Sequence, residues 1–171
     1  KTFELLEGLL DWGKTQRGLI KASKLKFNVK SELDEIVRVN KSQLENKELI
    51  LENNVENTLE IYNDQKLFRH IIMNILNNAI KFTPRGGSIT IYSENKNGKD
   101  QICIKDTGIG FPNDVKSKVF TFDFDYNRSG TESEKSTGMG LILISEYARI
   151  MGASLSLESK ENEGSTFKLS L

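Results

Sequence analysis

Hydrophobic positions recur with helical spacing at the start of the chain. Leu5, Leu9, Trp12 and Leu19 lie four and three residues apart, with one polar interruption at Gln16. This spacing is typical of a seam for a partner helix, and an ordinary amphipathic helix would show it as well. We expect the helix to end after Gly18.

Three further helices are predicted by the same periodicity and by their end signals. Ser31 with Asp34 resembles a capping box and predicts a helix start. Asp64 is a suitable N-cap for a long helix, which Thr83-Pro84 and the glycines that follow should end. Residues 138–151 are again helical in pattern, and Gly152 is the expected stop.

Strict alternation of apolar and polar residues predicts strands, most of them late in the chain. Asn97-Gly98 separates two of them and is a typical hairpin turn. The interval 112–137 is polar and aperiodic apart from an aromatic cluster (Phe120, Phe122, Phe124, Tyr126), which is typical of a mobile functional lid. We therefore predict an α+β fold in which helices cover one face of a mixed sheet. The predicted strands are 48–52, 58–62, 88–93, 101–105, 154–159 and 166–171.

Composition narrows the class of protein. The 171 residues carry 24 basic and 24 acidic side chains, so the net charge is zero, which gives no reason to expect a nucleic-acid partner. The lone cysteine, Cys103, lies in an alternating apolar run and is expected to be a buried, reduced thiol. Because Lys1 already lies within the helical pattern, we interpret the sequence as a segment of a longer protein.

The long predicted helix carries a polar stripe opposite its apolar face. Asn74, Asn78 and Lys81 are spaced by four and three residues and so share one side of the helix. Amide oxygens can coordinate Mg²⁺, and a lysine can neutralise phosphate. A solvated polar face would show the same stripe, so this pattern alone leaves both interpretations open.

A second candidate follows the strand 101–105. In Asp106-Thr107-Gly108-Ile109-Gly110-Phe111, the aspartate can accept a hydrogen bond from an exocyclic amine, and the glycines admit a flat ring close to the backbone. Asp-Thr-Gly is also found in aspartic proteases. Those enzymes need two such aspartates in a nearly all-β fold, which this sequence does not offer.

Two glycine-containing turns complete the candidates. Ser136-Thr137-Gly138-Met139-Gly140-Leu141 leads directly into a helix, whose first amides would favour an anion such as phosphate. Glu163-Gly164-Ser165-Thr166-Phe167 opens the last strand with hydroxyl groups. Taken alone, the first could be a flexible joint and the second a tight turn.

The order of these segments resembles the GHKL nucleotide-binding superfamily and, within it, the sensor histidine kinases. The segments resemble the N box (74–81), the G1 box (106–111), the G2 box (136–141) and the closing strand motif (163–167). The resemblance implies a two-layer α/β sandwich. It also implies that residues 1–22 are the C-terminal part of the dimerisation and phosphoacceptor helix hairpin, and that residues 23–171 are the ATP-binding catalytic domain.

The resemblance implies a role for each motif residue. Asn78 would coordinate Mg²⁺ with help from Asn74, and Lys81 would contact phosphate. Phe82 would lie near the ribose, and Asp106 would accept from the adenine amine. The remaining implied contacts are Gly108, Ile109 and Gly110 around the base, Thr137, Gly138, Met139, Gly140 and Leu141 at the phosphates, and Thr166 beside adenine through water.

Two positions refine the expected chemistry. Hydrolytic members of the superfamily carry a glutamate one turn before the metal-binding asparagine. Asn74 holds that place here and cannot take a proton from water, so we expect ATP to be retained until another nucleophile arrives. His70 lacks the acidic neighbour and following proline of the family's acceptor segment, and we expect the acceptor histidine to precede Lys1.

The resemblance therefore implies a kinase domain that binds ATP and Mg²⁺ and transfers the γ-phosphoryl group to a histidine of its own dimerisation domain. Its implied partners are that domain in a homodimer and the receiver domain of a response regulator. The implied location is the cytoplasmic side of a membrane-anchored bacterial sensor. Two alternatives share the pocket: a regulatory module that only holds nucleotide, and a serine kinase of the anti-sigma type.

Departures from the family pattern concern the lid. Residues 120–126 read FTFDFDY, where the family usually has two phenylalanines three residues apart. Arg128 and Lys135 are the lid cations expected to reach phosphate.

Overall fold

A computed structural model describes residues 10, 13, 15, 17–96, 98–116, 118–121, 130–132 and 139–171. The seam positions Leu5, Leu9 and Trp12 lie outside these residues, so the N-terminal partner helix stays a prediction. Gly18 adopts φ +64°, a left-handed conformation in keeping with a helix end. Among the described residues, no helix is both long and apolar enough to cross a membrane.

Strands and helices alternate along the described chain. The strands are β1 (Leu25–Asn28), β2 (Ile50–Asn53), β3 (Glu60–Asn63), β4 (Ser88–Lys96), β5 (Lys99–Asp106), β6 (Ser154–Lys160) and β7 (Gly164–Ser170). The helices are α1 (Val29–Val39), α2 (Lys41–Asn46), α3 (Gln65–Phe82), α4 (Asn113–Lys116) and α5 (Gly140–Met151).

The main sheet is mixed, as predicted. Its strand order is β2-β4-β5-β7-β6, with β2 parallel to β4 and the other neighbours antiparallel. A second sheet pairs β1 with β3 in antiparallel register, from Leu25 opposite Asn63 to Asn28 opposite Glu60. The pattern missed β1 because it is only four residues long and its partner lies more than thirty residues away.

One face of the main sheet carries the core. Isoleucines of β4 and β5 and the apolar residues of β7 meet the buried side of α3, and α1 and α5 flank that helix. Each side chain buried this completely contributes about 1.5–3 kcal/mol, which fixes α3 against the sheet. The fully or nearly fully buried residues at this contact include Ile71, Ile72, Ile75, Ile89, Ile91, Ile102, Ile104, Phe167 and Leu169.

The long helix has the ends that the sequence predicts. Asp64 is its N-cap and accepts a hydrogen bond from Leu67 N at 2.9 Å, and Thr83 is its C-cap. Asp64 also accepts from Ser23 N at 2.6 Å, which ties the segment before β1 to the start of α3.

The predicted start of the first domain helix was wrong. Asn28 is the N-cap of α1, and its side chain accepts from Ser31 N at 2.8 Å. The helix therefore begins at Val29, whose side chain is fully buried. It ends at Asn40, where the short helix α2 follows.

Two smaller boundaries also differ. Glu48 adopts φ +52°, which is incompatible with a strand, so β2 begins at Ile50.

The predicted irregular interval 112–137 contains α4, which buries Val115. Phe120 packs edge-on against Phe167, with ring centroids 6.4 Å apart. Phe122, Phe124 and Tyr126 lie outside the described residues, as do the lid cations Arg128 and Lys135.

The other face of the sheet is mostly polar and carries the predicted buried thiol. Cys103 is fully buried, and its burial raises the pKa to about 11. The thiol is thus protonated near neutral pH, which is the state of an inert core cysteine.

Candidate functional site

The polar stripe of α3 is organised by a side-chain hydrogen bond. Asn78 Nδ2 donates to Asn74 Oδ1 at 3.2 Å, and both residues are half-buried, while their neighbour Asn77 is exposed. Within the described part of the chain, Asn78 Oδ1 has no hydrogen-bond donor. The pairing thus turns one amide oxygen of the stripe towards an external ligand, as a hard cation requires.

The start of α5 packs directly on this stripe. A Cβ added at Gly140 would lie 2.7 Å from Asn74 Nδ2, so a larger residue at this position would displace the Asn74 carboxamide. Met139, the N-cap, makes no side-chain capping hydrogen bond, and the first helical bond runs from Leu143 N to Met139 O at 3.0 Å. The amides of the first turn are therefore available to an anion beside Asn74.

Asp106 ends β5 on the helix-covered face of the sheet and is 5% exposed. Its Oδ1 accepts from Gly108 N at 2.8 Å and from Ser165 N at 3.2 Å. Burial raises the pKa of this carboxyl to about 6, and the two amide hydrogen bonds partly oppose that rise. Among the described residues, Oδ2 has no donor, so the second oxygen is available to a ligand amine.

Glycines let the chain close tightly around Asp106. A Cβ at Gly108 would lie 2.6 Å from both Asp106 Oδ1 and Phe82 O. Gly164 adopts φ +98°, and a Cβ there would lie 2.1 Å from Asp106 O. Gly164 is a site residue for which the sequence predicted no role, although its place in the closing motif signalled it.

Gly108, Ile109 and Gly110 also join the aspartate to its surroundings. Ile109 N donates to Phe82 O at 3.1 Å, which attaches the loop to the end of α3. Gly110 adopts φ +61°, and a Cβ there would lie 2.0 Å from Lys160 O, in the turn between β6 and β7. Gly110 therefore serves the packing of this loop, whatever it contributes to a pocket.

The strand register bears on the predicted contact of Thr166 with adenine through water. Thr166 pairs with Lys105, and Ser165 pairs with Asp106. Because successive residues of a strand point to opposite faces, the Thr166 side chain lies on the face away from Asp106. Ser165 is 6% exposed on the same face as the aspartate. Ser165 therefore joins the candidate site, and the water-mediated contact of Thr166 stays a prediction.

Lys81 and Phe82 lie where the stripe ends. Lys81 Nζ is 5.0 Å from the centroid of the Phe82 ring, a cation–π distance. His70 is exposed, and its ring lies beside Tyr147 of α5 with centroids 5.9 Å apart. Thr137 and Gly138, which were predicted to bind phosphate, lie outside the described residues.

The structure thus gathers separate segments of the chain around the last two turns of α3. Asn74 contacts Gly140, and Phe82 contacts the loop that follows Asp106. Among the described residues, no group of three or more histidine, cysteine, aspartate or glutamate side chains could hold a metal ion. A cation here would need oxygens from a ligand in addition to the amide oxygens.

Comparison with known proteins gives one family. The profile described as histidine kinase-, DNA gyrase B-, and HSP90-like ATPase matches residues 63–171. The signal transduction histidine-protein kinase BarA of Escherichia coli K12 is 32% identical over 170 residues, which are 95% of this chain and 18% of BarA. The chain therefore spans about a fifth of the length of that curated relative.

Solved structures of histidine kinases share the fold. Full-length ShkA in complex with AMPPNP has a TM-score of 0.81 at 20% identity, over 98% of this chain and 35% of that one. Histidine kinase ThkA in complex with response regulator protein TrrA has a TM-score of 0.74 at 20% identity, over 99% of this chain and 48% of that one.

Proposed function

Since this chain belongs to the family of histidine kinase-, DNA gyrase B- and HSP90-like ATPases, we propose that it binds Mg-ATP and supplies the γ-phosphoryl group to a histidine. Its curated relatives include histidine protein kinases such as BarA, which favours a sensor kinase over the other branches. We further propose that residues 23–171 form the catalytic domain and that residues 1–22 belong to a dimerisation hairpin.

One observation carries the proposal. Asp106 keeps a buried oxygen without a donor at one end of α3's last turns, and the uncapped start of α5 contacts Asn74 on the other side. An acceptor for an amine and a set of amides for an anion thus lie beside the same helix, α3. A nucleotide has the matching groups, an exocyclic amine on adenine and a chain of phosphates.

The residues present fit a magnesium ion that arrives with the nucleotide. Asn78 would offer its Oδ1 to the cation, and phosphate oxygens would supply further ligands, as Mg²⁺ commonly requires. Bound there, the cation would neutralise charge that develops on the phosphates during transfer. The phosphates would also be contacted by protein residues, namely Lys81, Gly140 and Leu141.

The chain's own residues would then have two roles: they would bind the nucleotide, and they would not activate water. Asp106, Gly108 and Ser165 would fix the base, and the first amides of α5 would fix the phosphates. Asn74 offers no basic atom to activate water, so the bound nucleotide would persist until an imidazole nitrogen attacks. The bond from the γ-phosphorus to the bridging oxygen breaks as the bond to nitrogen forms, and ADP leaves.

Partners follow from the same assignment. The ThkA structure contains a response regulator protein, and we propose that a receiver domain takes the phosphoryl group from the parent of this chain. The acceptor histidine would lie on a dimerisation domain in a homodimer. No feature of the site favours a nucleotide-holding regulatory module or a serine kinase.

Calorimetric titration with Mg-ADP tests the site. We expect Asn78→Ala to weaken Mg-ADP binding at least about tenfold, because the cation would lose the amide oxygen of Asn78 and interactions with charged groups are strong. Asn77→Ala is the matched control, since Asn77 is exposed on the same helix. Unchanged affinity in Asn78→Ala, or equal losses in both variants, contradicts the assignment.

The aspartate is tested by the identity of the base. In Asp106→Asn, the amide oxygen can keep the bonds to Gly108 N and Ser165 N, which places an NH₂ group where the free oxygen was. We expect wild type to prefer Mg-ADP to Mg-IDP, whose base lacks the exocyclic amine, and Asp106→Asn to lose that preference. An undiminished preference would show that Asp106 does not contact the amine.

A further inference from the structure

Lys47 is a buried lysine that no sequence pattern singled out. Only 5% of the residue is exposed. It follows α2 and precedes Glu48, whose φ of +52° turns the chain into β2. Its Nζ donates to Ile80 O at 2.8 Å, to Lys81 O at 3.0 Å and to Thr131 Oγ1 at 2.7 Å.

The two carbonyls belong to the last turn of α3. The final carbonyls of a helix have no partner within it. Here Thr83 N donates to Ala79 O at 3.0 Å and Ile109 N donates to Phe82 O at 3.1 Å. Lys47 donates to the two carbonyls between these, those of Ile80 and Lys81. Its positive charge is also favourable at the negative end of the helix dipole.

Thr131 is the second member of this junction. Its N–H donates to Lys81 O at 3.1 Å, and its Oγ1 lies 3.1 Å from Lys81 O and 3.2 Å from Thr83 O. The hydroxyl can accept from Lys47 while it donates to one of these carbonyls. Residue 131 is thereby attached to the end of α3 by both its backbone and its side chain.

An exposed ion-pair network links the residues that follow Lys47 and Thr131 in the chain. Arg85 lies 2.8 Å from Glu48 and 3.3 Å from Glu132. Pairs as exposed as these contribute little to stability. The buried contacts of Lys47 are therefore the stronger link between residues 130–132 and the helix.

The junction lies at the candidate site. The turn that carries Ile80 and Lys81 also carries Phe82, whose carbonyl meets the loop after Asp106. A change in the position of residue 131 therefore acts on the helix end that orients Lys81 and Phe82. The contact between Lys47 and Thr131 and the binding of a nucleotide would then be coupled.

We infer that Lys47 is a positioning residue for the nucleotide site and that it acts by holding Thr131 on the C-terminal end of α3. The inference rests on the proposed function and goes beyond it. The inference assigns Lys47 no contact with the nucleotide. Its effect passes through the carbonyls of Ile80 and Lys81 and through the Thr131 hydroxyl.

Lys47→Met tests the inference, because methionine keeps much of the stem and removes all three donors. We expect the affinity for Mg-ADP to fall about tenfold, within the usual range of coupling between sites, and Lys47→Arg to restore most of it. Lys168→Met is the matched control. Lys168 is a half-buried lysine on the opposite face of the sheet, 2.8 Å from Glu158, and its loss should leave the affinity unchanged.

Thr131→Val and Thr131→Ser keep the test decisive if Lys47→Met fails to fold. The valine variant should lose affinity and the serine variant should retain it. In a double-mutant cycle, Thr131→Val should cost little more once Lys47 is changed. Lower thermal stability with unaltered affinity in the folded variants would reduce Lys47 to a structural role. Failure of the wild-type chain to bind Mg-ADP would instead refute the proposed function itself.

Discussion

At the scale of single residues, Asp106 shows how a functional group is kept at a cost in stability. The carboxylate is buried with two amide donors on one oxygen, and its pKa rises to about 6 from an ordinary value of 3.8. The folded protein therefore binds this proton more tightly than the unfolded chain does. Between these two pKa values, raising the pH ionises the unfolded chain first, so the contribution of Asp106 to stability falls as pH rises.

Asp106→Asn should consequently stabilise the free protein. Above pH 6 the wild type carries the full penalty of a buried charge, so the variant should gain up to about 3 kcal/mol in the free energy of unfolding, at 1.36 kcal/mol for each unit of the pKa shift. The gain should shrink as the pH falls towards 4. Urea unfolding at pH 4, 5 and 7 measures it.

Asp114→Asn is the control for the same chemical change on the surface, since Asp114 is exposed in α4. An Asp106→Asn variant less stable than wild type at pH 7 would contradict the assigned shift. If Asp106→Asn is more stable than wild type and no longer prefers Mg-ADP to Mg-IDP, the Asp106 carboxylate contributes to recognition of the base at a cost in stability.

At the scale of elements, the site depends on how closely α5 approaches α3. Gly140 and Asn74 are in contact, and a methyl group at position 140 would displace the Asn74 carboxamide. The first-turn amides of α5 and the amide pair of Asn74 and Asn78 therefore occupy fixed relative positions.

The Gly140→Ala variant separates the effect of the contact with Asn74 from the stability of helix α5. Alanine is the better helix former by about 0.5–1 kcal/mol, so the variant should fold. Its Cβ must push the Asn74 carboxamide aside, and we expect Mg-ADP affinity to fall about ten- to hundredfold, as for other misplaced site groups. Calorimetric titration beside a thermal melt measures both effects.

Gly13→Ala is the matched control, because a Cβ at Gly13 meets no atom of the described residues within 4 Å. If Gly140→Ala binds Mg-ADP as tightly as wild type, the contact with Asn74 does not set the position of the nucleotide.

At the scale of the whole molecule, we propose that the phosphoryl donor and its acceptor lie on different parts of the parent protein. His70 is exposed on α3 and lies beside Tyr147. His70 precedes Asn74 by one helical turn but lacks the acidic neighbour and the following proline of the family's acceptor segment. Our proposal therefore places the nucleophile on another part of the parent protein.

The chain incubated with Mg-ATP alone should thus acquire no phosphohistidine and should consume ATP slowly. Extension by the upstream segment of its parent should produce acid-labile, base-stable phosphate. Phosphorylation is followed by labelling from γ-labelled ATP. Label on the unextended chain that disappears in His70→Gln would identify His70 as an acceptor and refute this account.

The sequence by itself determined the type and order of most elements and the segments that carry chemistry. Periodicity located α3 between Asp64 and Thr83 because apolar spacing and capping are local properties. The alternating strands and the glycine motifs were legible for the same reason. The sequence did not predict the N-cap of α1 at Asn28, because several short polar residues can cap a helix. It did not predict the strand β1, because β1 depends on a distant partner.

Only the tertiary structure decided which groups share the site. Strand register placed Ser165 beside Asp106 and turned Thr166 to the other face, a choice that a shift of one residue would reverse. Packing brought Gly140 onto Asn74 and Gly164 onto Asp106. Lys47 has no pattern around it in the sequence, and its part in the site exists because folding places three acceptors around one ammonium group.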